Sequence, residues 1–359
     1  MTEETLKTPF KLGLTKIIGR RIVATVILIV VCYIASSVFI NAVQLIKDLQ
    51  NGDIINWPSL FSFSLTLEDG LIPGIIFMLI GFECVYIGWQ NSALRRILTD
   101  DDAGTRTDIF YFVIAVTGVQ AVLIKIATLG LGVWTHSLLE NGAGFQLAID
   151  LPLWLACPLI FMLQSFCIYW SHRFVHTPLM WPLHAVHHHA KNFNVITAAR
   201  HHPVDAFFGE IAGMFIPAMI GFPAEAVLIV GLFVTLYAIY VHSHLPMPSW
   251  FGRYVIHGPR GHGIHHSCEQ QHHNSNFGDL VIWDRLFGTY NADAPEVINY
   301  GCDDPHGHYA SGKPLRDMLS VQAHWFKGLY SAFKMIGTLS QTRNQNRIDP
   351  PQKTADSAM

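Results

Sequence analysis

Between Ile22 and Ile46 the chain carries no charged residue, and between Leu151 and Ser171 it again carries none. Gly70 to Leu94 is interrupted only by Glu83, and Ile109 to Leu139 only by Lys125. Runs of this length match the about 20 residues a helix needs to cross a bilayer, so the pattern predicts four spans. A further apolar stretch, Ala206 to Val241, holds only Glu210 and Glu225 and is punctuated near its centre by Pro217, Gly221 and Pro223. That punctuation predicts a helix–turn–helix hairpin that enters the membrane and returns. A buried hairpin that does not span is the competing reading. Carboxylates in lipid are costly, so Glu210 and Glu225 are expected to face protein or the interface. Leu315 to Met335 sets Trp325, Phe326, Leu329, Phe333 and Met335 against Arg316, Lys327 and Lys334, the pattern of an interfacial amphipathic helix. From about Gln341 the composition is that of a disordered tail.

Charge adds an orientation. Lys7, Lys11, Lys16, Arg20 and Arg21 precede the first run, whereas Lys47 to Asp69 has one basic residue and four acidic ones. The next connection, with Arg95, Arg96 and Arg106, is basic, and the one carrying Glu140 and Asp150 has neither Lys nor Arg. This alternation places the N-terminus in the cytoplasm, and four spans return the chain there at His172. With 51% hydrophobic and only 14% charged residues, the composition is that of an integral membrane protein. The first run is too long for the core of a cleaved signal peptide and is kept as a mature helix. The six cysteines form no CxxC pair, which argues against a thiolate metal site or disulfide framework. No basic–aromatic cluster points to nucleic acid.

The histidines carry the chemistry. The chain has twenty, and sixteen lie between His172 and His273. His172 and His176 stand at i, i+4. His184, His187 and His188 form H-x-x-H-H, and His262, His265 and His266 repeat it. On a helix such positions share a face, so each triplet is expected to aim its rings at one point, as metal ligation requires. His189, His201, His244, His257, His272 and His273 are read as supporting or surface residues, and His136, His306, His308 and His324 are given no role. Neither triplet, HAVHH or HGIHH, contains the glutamate a zinc protease would use. Eight patterned histidines exceed the needs of one ion, so two neighbouring metals fit better. Iron with open positions for dioxygen is the most economical choice for imidazole ligands without thiolates.

The boxes HRFVH, HAVHH and HGIHH, followed by NSNFGDLVIWDRLFGTY, resemble the fatty acid hydroxylase/sterol desaturase superfamily of membrane di-iron oxygenases. The resemblance covers roughly Leu151 to Asn291 and leaves the first hundred residues as extra anchoring. It implies an all-α, multi-span membrane bundle with a cytoplasmic helical cap around a histidine-rich di-metal site. His172, His176, His184, His187, His188, His262, His265 and His266 fall on the ligand boxes. His242, in YVHSH, matches the placement of another ligand, and His202, in RHHPVD, would complete a set of ten; His201 and His244 compete for these two places. Asn276, Asp279 and Asp284 are expected to accept hydrogen bonds from ligand N–H groups, with an Asp284–Arg285 ion pair as the alternative for that dipeptide.

What the resemblance implies about activity is an O2-dependent hydroxylation or desaturation of a lipid C–H bond, the lipid being a sterol, fatty-acyl or ether lipid. The cofactors would be two ferrous ions, with O2 as co-substrate. The chain has no G-x-G-x-x-G and no iron–sulfur cysteine spacing. Electrons are therefore expected from an external cytochrome b5-type or ferredoxin-type donor fed by NAD(P)H, docking near Arg173, Lys191 and Arg200. The expected organisation is an anchor over 1–150 with about three spans, a catalytic domain over 151–292, a C-terminal interfacial region over 293–340 and a tail over 341–359. A histidine-rich metal transporter, a haem-binding membrane protein and a zinc-dependent membrane hydrolase are the alternatives. Transporters tend to hold ligands at mid-bilayer depth, whereas these histidines lie outside the long runs.

Overall fold

The computed structural model describes residues 78–128, 151–293, 298–304 and 307–348, with side chains to Met335. The run from Ile22 to Ile46 and its basic flank lie outside the described residues, as does the acidic connection after Leu139. Among the described residues the regular elements are helical, joined only by isolated bridges such as Ile256–Leu280.

Helix α1 (Met78–Ile87 among the described residues) ends before the predicted Leu94. Gly88, at a φ of 78°, turns the chain, and Ser92 then caps α2 (Ala93–Thr99) by accepting from Arg95 N. Glu83, the charge that interrupts this apolar run, is fully buried and accepts a hydrogen bond from Ala93 N. The run from Ile109 to Leu139 is likewise not one straight span over its described part. Helix α3 (Ala103–Val116) and α4 (Val119–Ala127) meet at 92°, with Gly118 in the left-handed region that lets the chain turn so sharply.

Helix α5 (Leu153–Val175) follows the predicted run and extends it by a turn. Its 23 residues rise about 34 Å, enough for the about 30 Å of a hydrocarbon core. After α6 (Trp181–His188), the expected hairpin forms from α7 (Pro203–Ile220) and α8 (Ala224–Val241), turning at Gly221 and Pro223. A stretch of π-helix over Ile211–Phe215 lies where the buried Gln164 side chain donates to Gly213 O at 2.6 Å. Glu225 is exposed at the turn, and Glu210 is exposed on the flank within Coulombic reach of Lys125. By length and composition, α5 and α7 could each cross a membrane, and the bent pair α3–α4 could make a third span.

Short helices α9 (Ser249–Tyr254), α10 (Pro259–His265) and α11 (Val281–Leu286) follow. Helix α12 runs from Pro314 to Ile348, past Gln341 and into the segment whose composition suggests disorder. One of its faces buries Met318 and Val321 in a core shared with Tyr111, Val175, Leu183, Val186 and Val204. Another leaves Leu319, Phe326, Tyr330 and Phe333 exposed, an apolar stripe consistent with an interface. The same core explains how α6 is set. Leu183 and Val186 anchor one side, each contributing about 1.5–3 kcal/mol by burial, and this turns His184, His187 and His188 the other way.

Candidate metal centre

Nine of the ten histidines singled out converge into two adjoining cages. His172, His176, His184, His188 and His265 form one, and His187, His242, His262 and His266 the other. The boxes do not each serve one point. In every box the i, i+4 pair stays together: His172 with His176, His184 with His188, and His262 with His266. The remaining member crosses over, so His187 leaves the first triplet and His265 leaves the second. Helical geometry accounts for this. Residues at i and i+4 point about 40° apart, but those at i+3 and i+4 point about 100° apart, too far to share one small cation.

The protonation pattern fits cation binding. His172 Nδ1 lies 2.8 Å from Phe277 O, His265 Nδ1 2.7 Å from Ser275 O, His187 Nδ1 3.2 Å from Arg200 O and His242 Nδ1 2.6 Å from Ala238 O. A carbonyl only accepts, so each Nδ1 carries the proton and donates it, leaving the Nε2 lone pair free. His184 Nδ1 donates to Asp205, 3.0 and 3.1 Å from its two oxygens. In the first cage Nε2 of His176, His184, His188 and His265 is buried with no hydrogen-bond partner. Orphaned polar atoms in such number are costly unless something absent from the protein chain satisfies them. In the second cage Nε2 of His242 lies 3.3 Å from that of His187 and 3.2 Å from that of His262, which is 3.2 Å from that of His266. Ligands about 2.1 Å from a common ion stand about 3.0–3.4 Å apart, and these spacings fall within that range.

Burial is the main cause holding His187, His188, His262, His265 and His266 well below the ordinary imidazole pKa, with repulsion from neighbouring imidazoles adding to it. Burial likewise brings His242 down to about 3. Neutral imidazoles with inward lone pairs are the form that binds metal. Residues present therefore fit two cations held by nitrogen alone.

His202 is not brought into either cage. Its Nδ1 accepts from Val204 N at 3.3 Å, capping α7, and its Nε2 lies 3.3 Å from Met318 O. The acid of the same element, Asp205, is the residue that reading the sequence missed: it holds His184 and also His201, whose Nδ1 is 2.7 Å away. The signal was its place three residues after His202 in RHHPVD. His201 stacks on His187 with ring centroids 4.1 Å apart. His244 bonds Phe193 O, His189 bonds Cys302 O, and the buried His272 bridges Ser267 and Asp293.

The closing motif acts differently from expectation. Asn276 bonds the backbone at Gly261 and Asn291, and Asp284 pairs with His257, outside both cages. Asp284 also accepts from the N–H groups of Phe277 and Gly278, and so fixes the loop whose carbonyl orients His172. Arg285 does not close an ion pair with Asp284; it lies over Tyr290 and donates to Arg253 O. Arg200 is no docking residue either, because its guanidinium is fully buried, 2.7 Å from Asp108 and bonded to Val186 O and Tyr309 O.

A cavity of 380 Å³ opens beside the cages and runs between α5, α7 and α8. His172, His184, His187, His242 and His262 line its inner end, and Ile168, Val175, Val234 and Val241 its walls. On the other side a 430 Å³ cavity reaches His176, His188, His265 and His266 past Trp181, His273 and Asp303.

A helical domain with paired histidine cages beside a largely apolar cavity is a site able to bind metal. The fatty acid hydroxylase family model matches residues 157–289, the stretch that holds both cages. It is similar to alkylglycerol monooxygenase of Danio rerio, 30% identical over 174 residues, which is 48% of this chain and 37% of that protein. Ornithine lipid hydroxylase OlsE of Rhizobium tropici is 31% identical over 143 residues, 39% of this chain and 43% of the relative. A probable Delta(7)-sterol 5(6)-desaturase of Neurospora crassa is 34% identical over 137 residues, covering 37% of each chain. The chain thus spans less than half the length of these curated relatives. They are oxidoreductases acting on lipids, and no solved structure matches the chain.

Proposed function

We propose that this protein is a membrane-bound di-iron oxygenase that hydroxylates or desaturates a lipid C–H bond using O2 and electrons from an external cytochrome b5-type or ferredoxin-type donor. The observation that carries this reading is the convergence of nine imidazoles at the end of a largely apolar cavity. His172, His176, His184, His188 and His265 would hold one ion, and His187, His242, His262 and His266 the other. Bound iron would supply dioxygen activation. The chain's own part is to orient the ligands, exclude water and place an acyl, alkyl or sterol carbon against the cages. The apolar walls of the cavity suit a substrate that enters laterally from the bilayer between α5, α7 and α8. Nitrogen-only ligation without a carboxylate or thiolate, and histidines outside the long apolar runs, favour this reading over a zinc hydrolase or a transporter.

The charge pattern of the sequence supports a multi-pass arrangement with the N-terminus and histidine boxes on the cytoplasmic side, where an electron donor is available. With Arg200 buried, Lys191 and Arg173 remain as docking candidates, Lys191 being the exposed one. Metal analysis of the purified protein tests the proposal. About two irons per chain without haem absorption is the expected result; stoichiometric zinc alone, even after anaerobic iron loading, would sink it. Comparison of lipids from a deletion strain and its parent identifies the substrate.

A further inference from the structure

Apart from the cage histidines, one polar side chain of the lipid cavity is left unspent by the fold. Ser171 Oγ donates to Phe208 O at 3.1 Å, Thr235 Oγ1 to Gly231 O at 2.9 Å and Tyr237 Oη to His257 O at 2.7 Å, so the hydroxyl hydrogens along the wall are already committed to backbone carbonyls. Asp205 is held by its two imidazoles. Asp279 lines the same cavity, and its Oδ2 is buried with no hydrogen-bond partner. Its main chain is pinned, because its carbonyl accepts from His257 N at 2.9 Å and the preceding Gly278 N is held by Asp284. A side chain on so fixed a stalk marks a defined point in the cavity. An unsatisfied buried carboxyl oxygen is costly unless a ligand completes it.

We propose that Asp279 is the polar anchor of the lipid cavity, holding the alcohol group of a hydroxyl-bearing lipid so that a chosen carbon reaches the histidine cages. The inference rests on reading this cavity as the substrate channel. An alcohol is the oxygen function that satisfies a carboxyl in either ionisation state: it donates to a carboxylate, and it both accepts from and donates to a neutral acid. Burial, with the nearby Asp284 charge adding to it, pushes the Asp279 acid up to about 7, so both states are populated near neutrality. An ether or an ester accepts from the neutral acid but offers no donor to the carboxylate, so it leaves the ionised form unpaired. The anchor acts as a ruler. Among lipids of one class, chain positions at a fixed distance from the hydroxyl are oxidised.

The test measures binding without turnover. Purified full-length protein in nanodiscs is labelled under anaerobic conditions with diazirine-tagged octadecanol, and unlabelled 1-octadecanol or octadecyl methyl ether is added as competitor. At about pH 9, where the carboxylate prevails, the alcohol is expected to displace the probe at about tenfold lower concentration than the ether, the worth of one net hydrogen bond. D279N narrows this preference, because its amide N–H also donates to the ether, and D279L and the smaller D279A bring the two competitors within about twofold. An equal response of wild type to both competitors, or a tenfold preference retained in D279L or D279A, overturns the anchor. No preference in wild type with lipid oxidation intact refutes the anchor alone. A zinc-only protein that still prefers the alcohol refutes the oxygenase reading alone.

Discussion

Replacing Asp205 by alanine should loosen one metal of the pair and spare the other. The carboxylate is the only side-chain oxygen among the described residues that orients a ring in either cage, and it touches His184 in the five-histidine cage. The His184 side chain is only 3% exposed, so after substitution its Nδ1–H has neither carboxylate nor bulk water to satisfy it. A buried donor left unpaired costs about 1–3 kcal/mol. Loss of such an orienting partner ordinarily weakens metal binding about 10–100-fold, equivalent to about 1.4–2.7 kcal/mol, and the two figures overlap. Titrating metal-loaded D205A with a chelator and counting ions released per chain reads this directly. One ion should leave at about 10–100-fold lower chelator concentration than in wild type. The ion held by His187, His242, His262 and His266 should leave as before, and D205N should fall between the two. Unchanged affinity for both ions, or their joint loss, would refute the assignment of Asp205 to a single cage.

Arg200→Met should destabilise the fold by about 3–5 kcal/mol, since it strands Asp108 without its buried partner; denaturant unfolding in detergent within about 1 kcal/mol of wild type would contradict this. His202→Ala should cost about 1 kcal/mol through loss of the α7 cap while metal content stays at the wild-type level. Release of an ion from that variant would return His202 to the ligand set. Metal-free protein should lose stability as pH falls below about 6.5. The folded-state pKa values of His187, His188, His262, His265 and His266 lie below that of the unfolded chain, so the unfolded state takes up protons first. Stability is then complete above the unfolded value and declines below it, by roughly 1.4 kcal/mol per imidazole at pH 5.5. A melting temperature unchanged between pH 7.5 and 5.5 would falsify that account.

The α5 helix and the α7–α8 hairpin were legible because their signals are local: an uncharged run of sufficient length, and Pro217, Gly221 and Pro223 at the turn. The bend at Gly118 was hidden, because hydropathy along Ile109 to Leu139 does not register backbone direction and one glycine there is compatible with a straight helix. The histidine boxes, with His242 of YVHSH, identified nine residues that the fold gathers together. Their division between cages was not legible, since it depends on how α6 and α10 face one another across the site. His202 was drawn in by its place in the RHHPVD element, although the proline after it starts a helix and turns its ring into a cap. Asp205, one turn further on, has the orientation that counts. Arg200 read as a surface charge because nothing in its neighbourhood announces that Asp108, far back in the chain, will meet it.

The way the rings are tethered also governs what variation can do to them. His172, His187, His242 and His265 hand their protons to the main-chain carbonyls of Phe277, Arg200, Ala238 and Ser275. A carbonyl belongs to every residue type, so drift at those four positions leaves the acceptors in place as long as the backbone path is kept. Alanine substitution keeps these acceptors, and at Arg200 it reads the lost pair with Asp108 instead. The precision of the site is inherited from chain geometry, and a designer transplanting it would have to carry the loops, whereas grafting the histidines alone would leave their rings free to turn.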